Sequence, residues 1–131
     1  MKRLALASLI AITMGHGGIT YAQESVVGTY TGSYTQPTNS KYGDTTVNVQ
    51  LIIASVENGV VKGTAKLYST ARFKCPGDYP MEGNYDGNKL AMKATAKAGP
   101  TSDCSFGLNV AQEGNKLVGK TGAGLSIQLS K

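Results

Sequence analysis

The sequence lacks tryptophan and has little histidine, arginine or cysteine: one His, two Arg and two Cys occur among 131 residues. The single histidine, His16, lies in a segment that we predict to be removed. A mature chain without histidine, whose two cysteines are paired, has neither the commonest general base nor the commonest metal ligands. We therefore expect a protein that is not an enzyme and that holds no metal and no cofactor.

Arginine occurs only at Arg3 and Arg72, so the chain has few of the guanidinium groups that bind phosphate through two parallel hydrogen bonds. This scarcity argues against sequence-specific recognition of nucleic acid. The formal net charge is +5, and it falls to +3 when Lys2 and Arg3 are subtracted. A surplus this small permits weak attraction to anionic surfaces without requiring it.

Long hydrophobic runs are also missing, because the apolar stretch 4–14 has only about half of the roughly 20 residues that a membrane-spanning helix needs. The positive pair Lys2-Arg3 precedes this stretch, and Thr20-Tyr21-Ala22 follows it with small residues where a signal peptidase reads. This order is typical of a secretory signal rather than of a membrane anchor. We predict a signal peptide over 1–22, a single domain over 23–131 without a transmembrane segment, and a secreted or periplasmic location.

Apolar and polar residues alternate with a period of two along the mature chain, and no stretch keeps a helical period. Val47, Val49, Leu51 and Ile53, for example, fall on one side of a strand. Such alternation predicts strands with one face on a core and one in water. The predicted strands lie near 25–35, 45–56, 60–68, 80–86, 89–96, 104–111, 116–121 and 124–130, with a further extended piece at 70–75.

Short turn signals separate these strands, namely Glu57-Asn58-Gly59, Asp86-Gly87-Asn88 and Glu113-Gly114-Asn115. Eight short strands linked by tight turns favour an all-β, antiparallel up-and-down meander that closes into a small barrel, since a flat sheet would expose two edges. A two-sheet β-sandwich is the alternative. The predicted inward positions include several small residues, which would either pack a narrow barrel or leave room inside: Gly63, Ala65, Ala94 and Gly119.

The two cysteines, Cys75 and Cys104, are expected to form a disulfide, because export places them where oxidation is usual. A bond between them closes a loop of 29 residues, which stabilises the folded chain by about 3.5 kcal/mol in the chain-entropy model. The competing interpretation is a reactive thiol. Neither a Cys-x-x-Cys spacing nor a mature histidine supports it.

Tyrosines are the first candidate ligand-binding residues: Tyr30, Tyr34, Tyr42 and Tyr85. Aromatic faces beside a cavity mouth can stack on sugars or apolar ligands. Alternatively, Tyr30 and Tyr34 share a strand face and belong to the core. The stretch 36–44 is the longest clear loop and is a candidate lid or contact loop.

Lysines are the second candidate group, because six of them fall opposite the apolar positions of their strands: Lys62, Lys66, Lys89, Lys93, Lys116 and Lys120. If their strands are neighbours, they form a basic band that could contact an anionic partner. Outward lysines also serve simply to keep strands soluble and unpaired.

The acidic series Asp78, Glu82 and Asp86 is interpreted as a set of solvated loop residues, since Pro80 and two glycines interrupt it. An acid pair for glycoside hydrolysis and a calcium site are the alternatives.

Val27-Gly28-Thr29-Tyr30, at the start of the first predicted strand, resembles the Gly-x-Trp start of the calycin group (lipocalins, avidins and fatty-acid-binding proteins). Tyr30 stands where the family has tryptophan. The resemblance implies a small-ligand barrel and carries over no binding residue. Our leading hypothesis is a non-enzymatic protein that binds a small apolar or amphipathic ligand in the barrel interior or mouth. The alternative is an envelope-associated or extracellular interaction protein that uses its loops and lysines on an anionic partner.

Overall fold

The protein folds into one closed barrel of eight antiparallel strands, as seen in a computed structural model that describes residues 26–37, 43–70, 73–96 and 104–131. Each strand pairs with the next, and β8 pairs with β1 to close the barrel. The up-and-down barrel is therefore confirmed, and the two-sheet sandwich is wrong because a single sheet closes on itself. The strands are β1 (Gly28–Gln36), β2 (Thr45–Glu57), β3 (Val60–Tyr68), β4 (Gly77–Tyr85), β5 (Lys89–Ala94), β6 (Gly107–Glu113), β7 (Lys116–Thr121) and β8 (Ser126–Ser130).

The body of the barrel is filled by alternate residues of the strands. On β2, Val47, Val49 and Leu51 are buried, whereas the residues between them are partly exposed. Each fully buried aliphatic side chain of this kind contributes roughly 1.5–3 kcal/mol through the surface it removes from water. The least exposed large side chains are Tyr30, Tyr79, Leu51, Ile53, Leu90, Leu108, Leu117, Leu129, Val26, Val47, Val49 and Val61.

Four inward glycines mark the corners at which the barrel bends: Gly32, Gly63, Gly83 and Gly119. At each of them, a Cβ atom would overlap with a backbone carbonyl oxygen of the neighbouring strand. The four contacts fall on the β8/β1, β2/β3, β4/β5 and β6/β7 pairs, which alternate around the barrel. Strands that coil this closely over one another leave no space for a side chain at the crossing. The small inward residues therefore serve closure at these corners.

The two ends of the barrel differ, because its connections alternate between short and long. The turn end carries three tight hairpin turns, at 58–59, 86–88 and 114–115, together with the C-terminal Lys131. At the first of these turns Asn58 and Gly59 have φ values of 55° and 80°, as the Asn-Gly signal predicts. The loop end carries the four longer connections, 37–44, 69–76, 95–106 and 122–125.

Strand β4 differs from its prediction. It begins at Gly77 and includes Pro80, so Asp78 and Glu82 lie on the outer face of a strand and not in a loop. Pro80 is exposed and lies just beyond the β4/β5 ladder, which begins at Met81, so its missing N–H removes no bond from that ladder; its carbonyl oxygen accepts a hydrogen bond of 2.8 Å from the Thr95 amide. The expected extended piece at 70–75 is not a strand in its described residues. The predicted signal segment 1–22 lies outside the described residues.

Candidate functional site

A cavity of about 620 Å³ opens at the loop end of the barrel. Its described lining comes from the loop-end termini of β1, β2, β3, β6 and β7 and from the connections that meet at this end. The walls combine apolar and polar side chains, with Leu67, Phe73, Phe106 and Leu125 beside the ring of Tyr34. We call this cavity the mouth pocket. Its volume lies within the range of about 300–1,000 Å³ that is typical of small-molecule sites.

At its floor the mouth pocket is lined by two aromatic rings, Tyr34 and Phe106, and a third ring, Tyr79, packs against Phe106 in the buried interior. The rings of Tyr34 and Phe106 are nearly parallel, with centroids 6.0 Å apart and planes at 22°. Tyr79 meets Phe106 at 6.4 Å and 51°. Tyr34 and Tyr79 reach this level because they occupy inward positions near the loop-end termini of β1 and β4. Offset ring pairs of this kind hold one another in place beyond what burial alone supplies.

The disulfide lies at the rim of the mouth pocket and confirms the predicted pairing. Cys75 and Cys104 are bonded, with their Cα atoms 5.3 Å apart, and Cys75 lines the cavity. The Tyr79 hydroxyl donates a hydrogen bond of 2.6 Å to the carbonyl oxygen of Cys75. The disulfide thus ties the 69–76 connection to the 95–106 connection, directly beside the aromatic floor.

Burial controls the ionisation of the tyrosines in the barrel. It raises the pKa of Tyr34 from 10.0 to about 12, with a further contribution from the nearby Tyr79. Burial also raises the pKa of Tyr30 and of Tyr79. The Tyr34 hydroxyl therefore keeps its proton at physiological pH and is available as a hydrogen-bond donor.

We expect the protein to lose stability as the pH rises from about 10 to about 12. In this window an unfolded tyrosine has released a proton that folded Tyr34 still holds, so a rising pH favours unfolding. The urea concentration at the midpoint of unfolding should fall across this pH window for the native protein, and it should fall less for the Tyr34→Phe variant. Equal slopes for the two proteins would contradict the assignment of this effect to Tyr34.

Two of the other predicted tyrosines, Tyr30 and Tyr85, do not line the mouth pocket. Tyr30 lies towards the turn end, where its hydroxyl donates a hydrogen bond of 2.9 Å to the Val26 carbonyl oxygen. The Nζ atom of Lys131 lies 5.6 Å from the centroid of the Tyr30 ring. The Tyr85 hydroxyl, at the turn-end terminus of β4, donates to Gln112 Oε1. Tyr42 lies outside the described residues, as does most of the loop predicted over 36–44.

A second cavity, of about 610 Å³, is a groove on the outside of the barrel near the turn end. Small side chains form its base, including Ala91, Ala111 and Val118. At its edge, backbone hydrogen bonds from Lys89 and Asn88 hold the pKa of Asp86 below its usual value. These bonds complete the turn between β4 and β5. The mouth pocket is the stronger candidate site, because a stacked pair of buried rings, Tyr34 and Phe106, lines it, whereas the described lining of the groove has the single ring of Tyr85.

The six candidate lysines lie on the outer face of three strands that are not neighbours. Lys62 and Lys66 are on β3, Lys89 and Lys93 on β5, and Lys116 and Lys120 on β7. Strands β4 and β6 separate these three, so the assumption behind a continuous basic band is wrong. Contact with an anionic partner stays a prediction, and it would have to be made by individual lysines rather than by a continuous band.

Acidic residues stand directly across the register from most of these lysines. Glu82 lies between Lys62 and Lys93 in one row of neighbouring positions. Asp78 lies opposite Lys66, and Glu113 lies opposite Lys116. Alternation of opposite charges cancels much of the field that six lysines would otherwise create.

Within the described ranges, no three or more His, Cys, Asp or Glu side chains are grouped as a metal site would need. Asp78 and Glu82 share the outer face of β4 but lie four residues apart, roughly 13 Å along a strand. In the same ranges, no helix has the length and hydrophobicity to cross a bilayer.

Most residues in or beneath the lining of the mouth pocket were not nominated from the sequence, among them Phe73, Tyr79, Phe106 and Thr121. A usable signal was present for two of them. Phe106 and Tyr79 follow Cys104 and Cys75 by two and four residues, so a disulfide between the two cysteines keeps them close to each other. Comparison with protein-family models, with curated proteins and with solved structures finds no match to this chain.

Proposed function

We propose that this protein is an exported, non-enzymatic binding protein that holds a small apolar or amphipathic ligand in the mouth pocket. The observation that carries the proposal is a cavity of about 620 Å³ whose described walls combine aromatic and aliphatic side chains with a few hydroxyl groups. This composition is typical of sites in which apolar contact supplies affinity and a few polar groups set orientation. The filled body of the barrel favours binding at the mouth over binding deep in the interior.

Kinship with the calycin group is part of the proposal. The closed eight-strand up-and-down topology is consistent with a calycin-like fold. Gly28 begins β1, and Tyr30 is fully buried two residues later, in the place where the resemblance puts an aromatic side chain. In such barrels the open end is the natural entrance for a ligand.

Export to the periplasm or the cell exterior is also proposed. The disulfide and the lack of a membrane-spanning helix among the described residues are compatible with that location. The signal-like order of residues 1–22 supports it independently.

Binding of a fluorescent apolar probe tests the proposal. The chain has no tryptophan, so the emission of N-phenylnaphthylamine can be followed without an overlapping protein signal. We expect saturable binding to the oxidised protein. Phe73→Ala should weaken it about tenfold, because part of the apolar surface that covers the probe is removed.

The matched control is Tyr68→Ala, which removes an aromatic ring that is 53% exposed on the outer face of β3. It should leave probe affinity unchanged. Amide chemical-shift changes on adding the probe should cluster at Ser105, Gly122 and Ala123 around the mouth. Absence of saturable binding, or shifts confined to the turn end, would refute the proposed function.

A further inference from the structure

Tyr34 is the exception among the four buried tyrosines of the barrel. The hydroxyls of Tyr30, Tyr79 and Tyr85 each donate a hydrogen bond to an oxygen atom of the protein. Tyr34 is 8% exposed, yet its hydroxyl makes no hydrogen bond to any residue in the described parts of the chain. Buried polar groups are nearly always satisfied, so one that is not needs an explanation. Its place in the wall of the mouth pocket supplies one.

A second hydroxyl proton is available in the same wall. Thr121 is 5% exposed, and its oxygen accepts a hydrogen bond of 3.1 Å from the Leu125 amide. Within the described ranges, nothing accepts the proton of the Thr121 hydroxyl. Because the Thr121 oxygen already accepts one hydrogen bond, its hydroxyl proton is available to be donated to a group in the cavity.

The charge of the described lining favours an electron-rich ligand group. Lys74 is the one charged side chain among those lining residues, and it is exposed at the rim. No carboxylate occurs among the same residues. Two hydroxyl donors and an ammonium group therefore line the cavity, and its other polar side chains, Gln36, Thr45 and Ser105, are uncharged, so a ligand that presents an acceptor oxygen is complementary to it.

We propose that Tyr34 determines specificity in the mouth pocket by donating a hydrogen bond to an acceptor oxygen, such as a carbonyl or carboxylate, on a ligand whose apolar body lies against Phe73 and Phe106. This inference rests on the proposed function and narrows it. Plain hydrocarbons fill the same space but leave the buried hydroxyl without a partner. The site consequently prefers amphipathic ligands of this kind to hydrocarbons of equal size.

Competition by three compounds that share one ring system tests the preference. Naphthalene has no oxygen, acetylnaphthalene adds a neutral carbonyl, and naphthoate adds a carboxylate. Each is titrated against bound N-phenylnaphthylamine on the oxidised protein. We expect both oxygen-bearing compounds to compete about tenfold better than naphthalene. A further advantage of naphthoate over acetylnaphthalene would be the contribution of Lys74, and it should shrink in Lys74→Gln and at high salt.

Tyr34→Phe removes only the hydroxyl and keeps the ring that stacks on Phe106. We expect this variant to bind naphthalene as well as the native protein does and to lose the tenfold preference. Its thermal stability should be unchanged or higher, since no hydrogen bond to the described protein is lost. Tyr68→Phe, the same change on the outer surface, is the matched control and should keep the preference.

The outcomes separate this inference from the proposed function. Equal competition by all three compounds would overturn the role of Tyr34 while leaving a binding pocket in place. Equal weakening of all three by Tyr34→Phe, or marked destabilisation of that variant, would also overturn it by showing that the hydroxyl serves packing. Failure of the fluorescent probe and all competitors to bind would reject the proposed function and this inference together.

Discussion

Replacing Gly83 by alanine is expected to destabilise the barrel by at least about 3 kcal/mol. The new Cβ would overlap with the backbone oxygen of Ala91 on β5, and it would also crowd the Met92 Cα at 2.7 Å. Backbone atoms of a paired strand cannot move aside as a flexible side chain can. The β4/β5 corner would have to open, which disturbs the ladder that runs from Met81 to Tyr85. For a domain of this size the melting temperature should fall by roughly 12–24 °C.

A graded series of glycines provides the controls for this prediction. An added Cβ at Gly122 would meet its nearest atom at 3.6 Å, and one at Gly107 would meet the Met92 oxygen at 3.3 Å. Neither residue has a positive φ. Thermal unfolding should therefore rank Gly122→Ala near the native protein, Gly107→Ala below it and Gly83→Ala lowest. If Gly83→Ala does not accumulate as folded protein, the order of the other two still tests the argument. Melting temperatures independent of this spacing would contradict it.

Removing the disulfide should produce the second large effect, a loss of about 3.5 kcal/mol in the free energy of unfolding. The bond joins residues separated by 29 positions, so without it the unfolded chain regains the entropy of an open loop. The change also acts on the folded state, because Cys75 lines the mouth pocket and its carbonyl receives the Tyr79 hydroxyl. We therefore expect the double variant Cys75→Ala with Cys104→Ala to lose probe binding as well as stability.

Urea unfolding with and without a reducing agent measures this effect. The native chain should unfold at a lower urea concentration when reductant is present, whereas the double variant should not respond. The variant in oxidising buffer should match the reduced native chain to within about 1 kcal/mol, since each change only removes a sulfur atom, at the buried Cys104 and the partly buried Cys75. An unchanged midpoint on reduction would show that the bond contributes little to stability.

Strand positions were predictable because the signals that specify them are local. The alternation of Val47, Val49, Leu51 and Ile53 defines the inward face of β2 without reference to any other strand. Asn58-Gly59 adopts positive φ at both residues, and this preference belongs to the two residues themselves. Strand β4 was displaced in the prediction because Pro80 and its flanking glycines carry the local signal of a loop. Pairing with β3 and β5 overrides that signal.

The candidate site was harder to predict, because its residues are distant in sequence. Tyr34 and Tyr30 look alike along β1, since both occupy inward positions four residues apart. Their positions towards opposite ends of the barrel separate them: Tyr30, towards the turn end, donates to the Val26 carbonyl, whereas the Tyr34 hydroxyl lies at the cavity of the loop end. The lysines show the same limit. Their outward direction followed from alternation, whereas the acidic neighbours on β4 and β6 depended on strand order and register.

The amino-acid sequence by itself determined the all-β class, the eight strands and the tight turns, because each depends on residue types and spacings within a short segment. It also determined the disulfide, because the sequence contains two cysteines. The tertiary structure decided that the sheet closes at four glycine corners, which tyrosine hydroxyls are satisfied, and that the mouth pocket unites rings from β1, β4 and the segment before β6. Those features arise from contacts between distant strands. Their energies depend on register and on the local coiling of the sheet, which no single segment encodes.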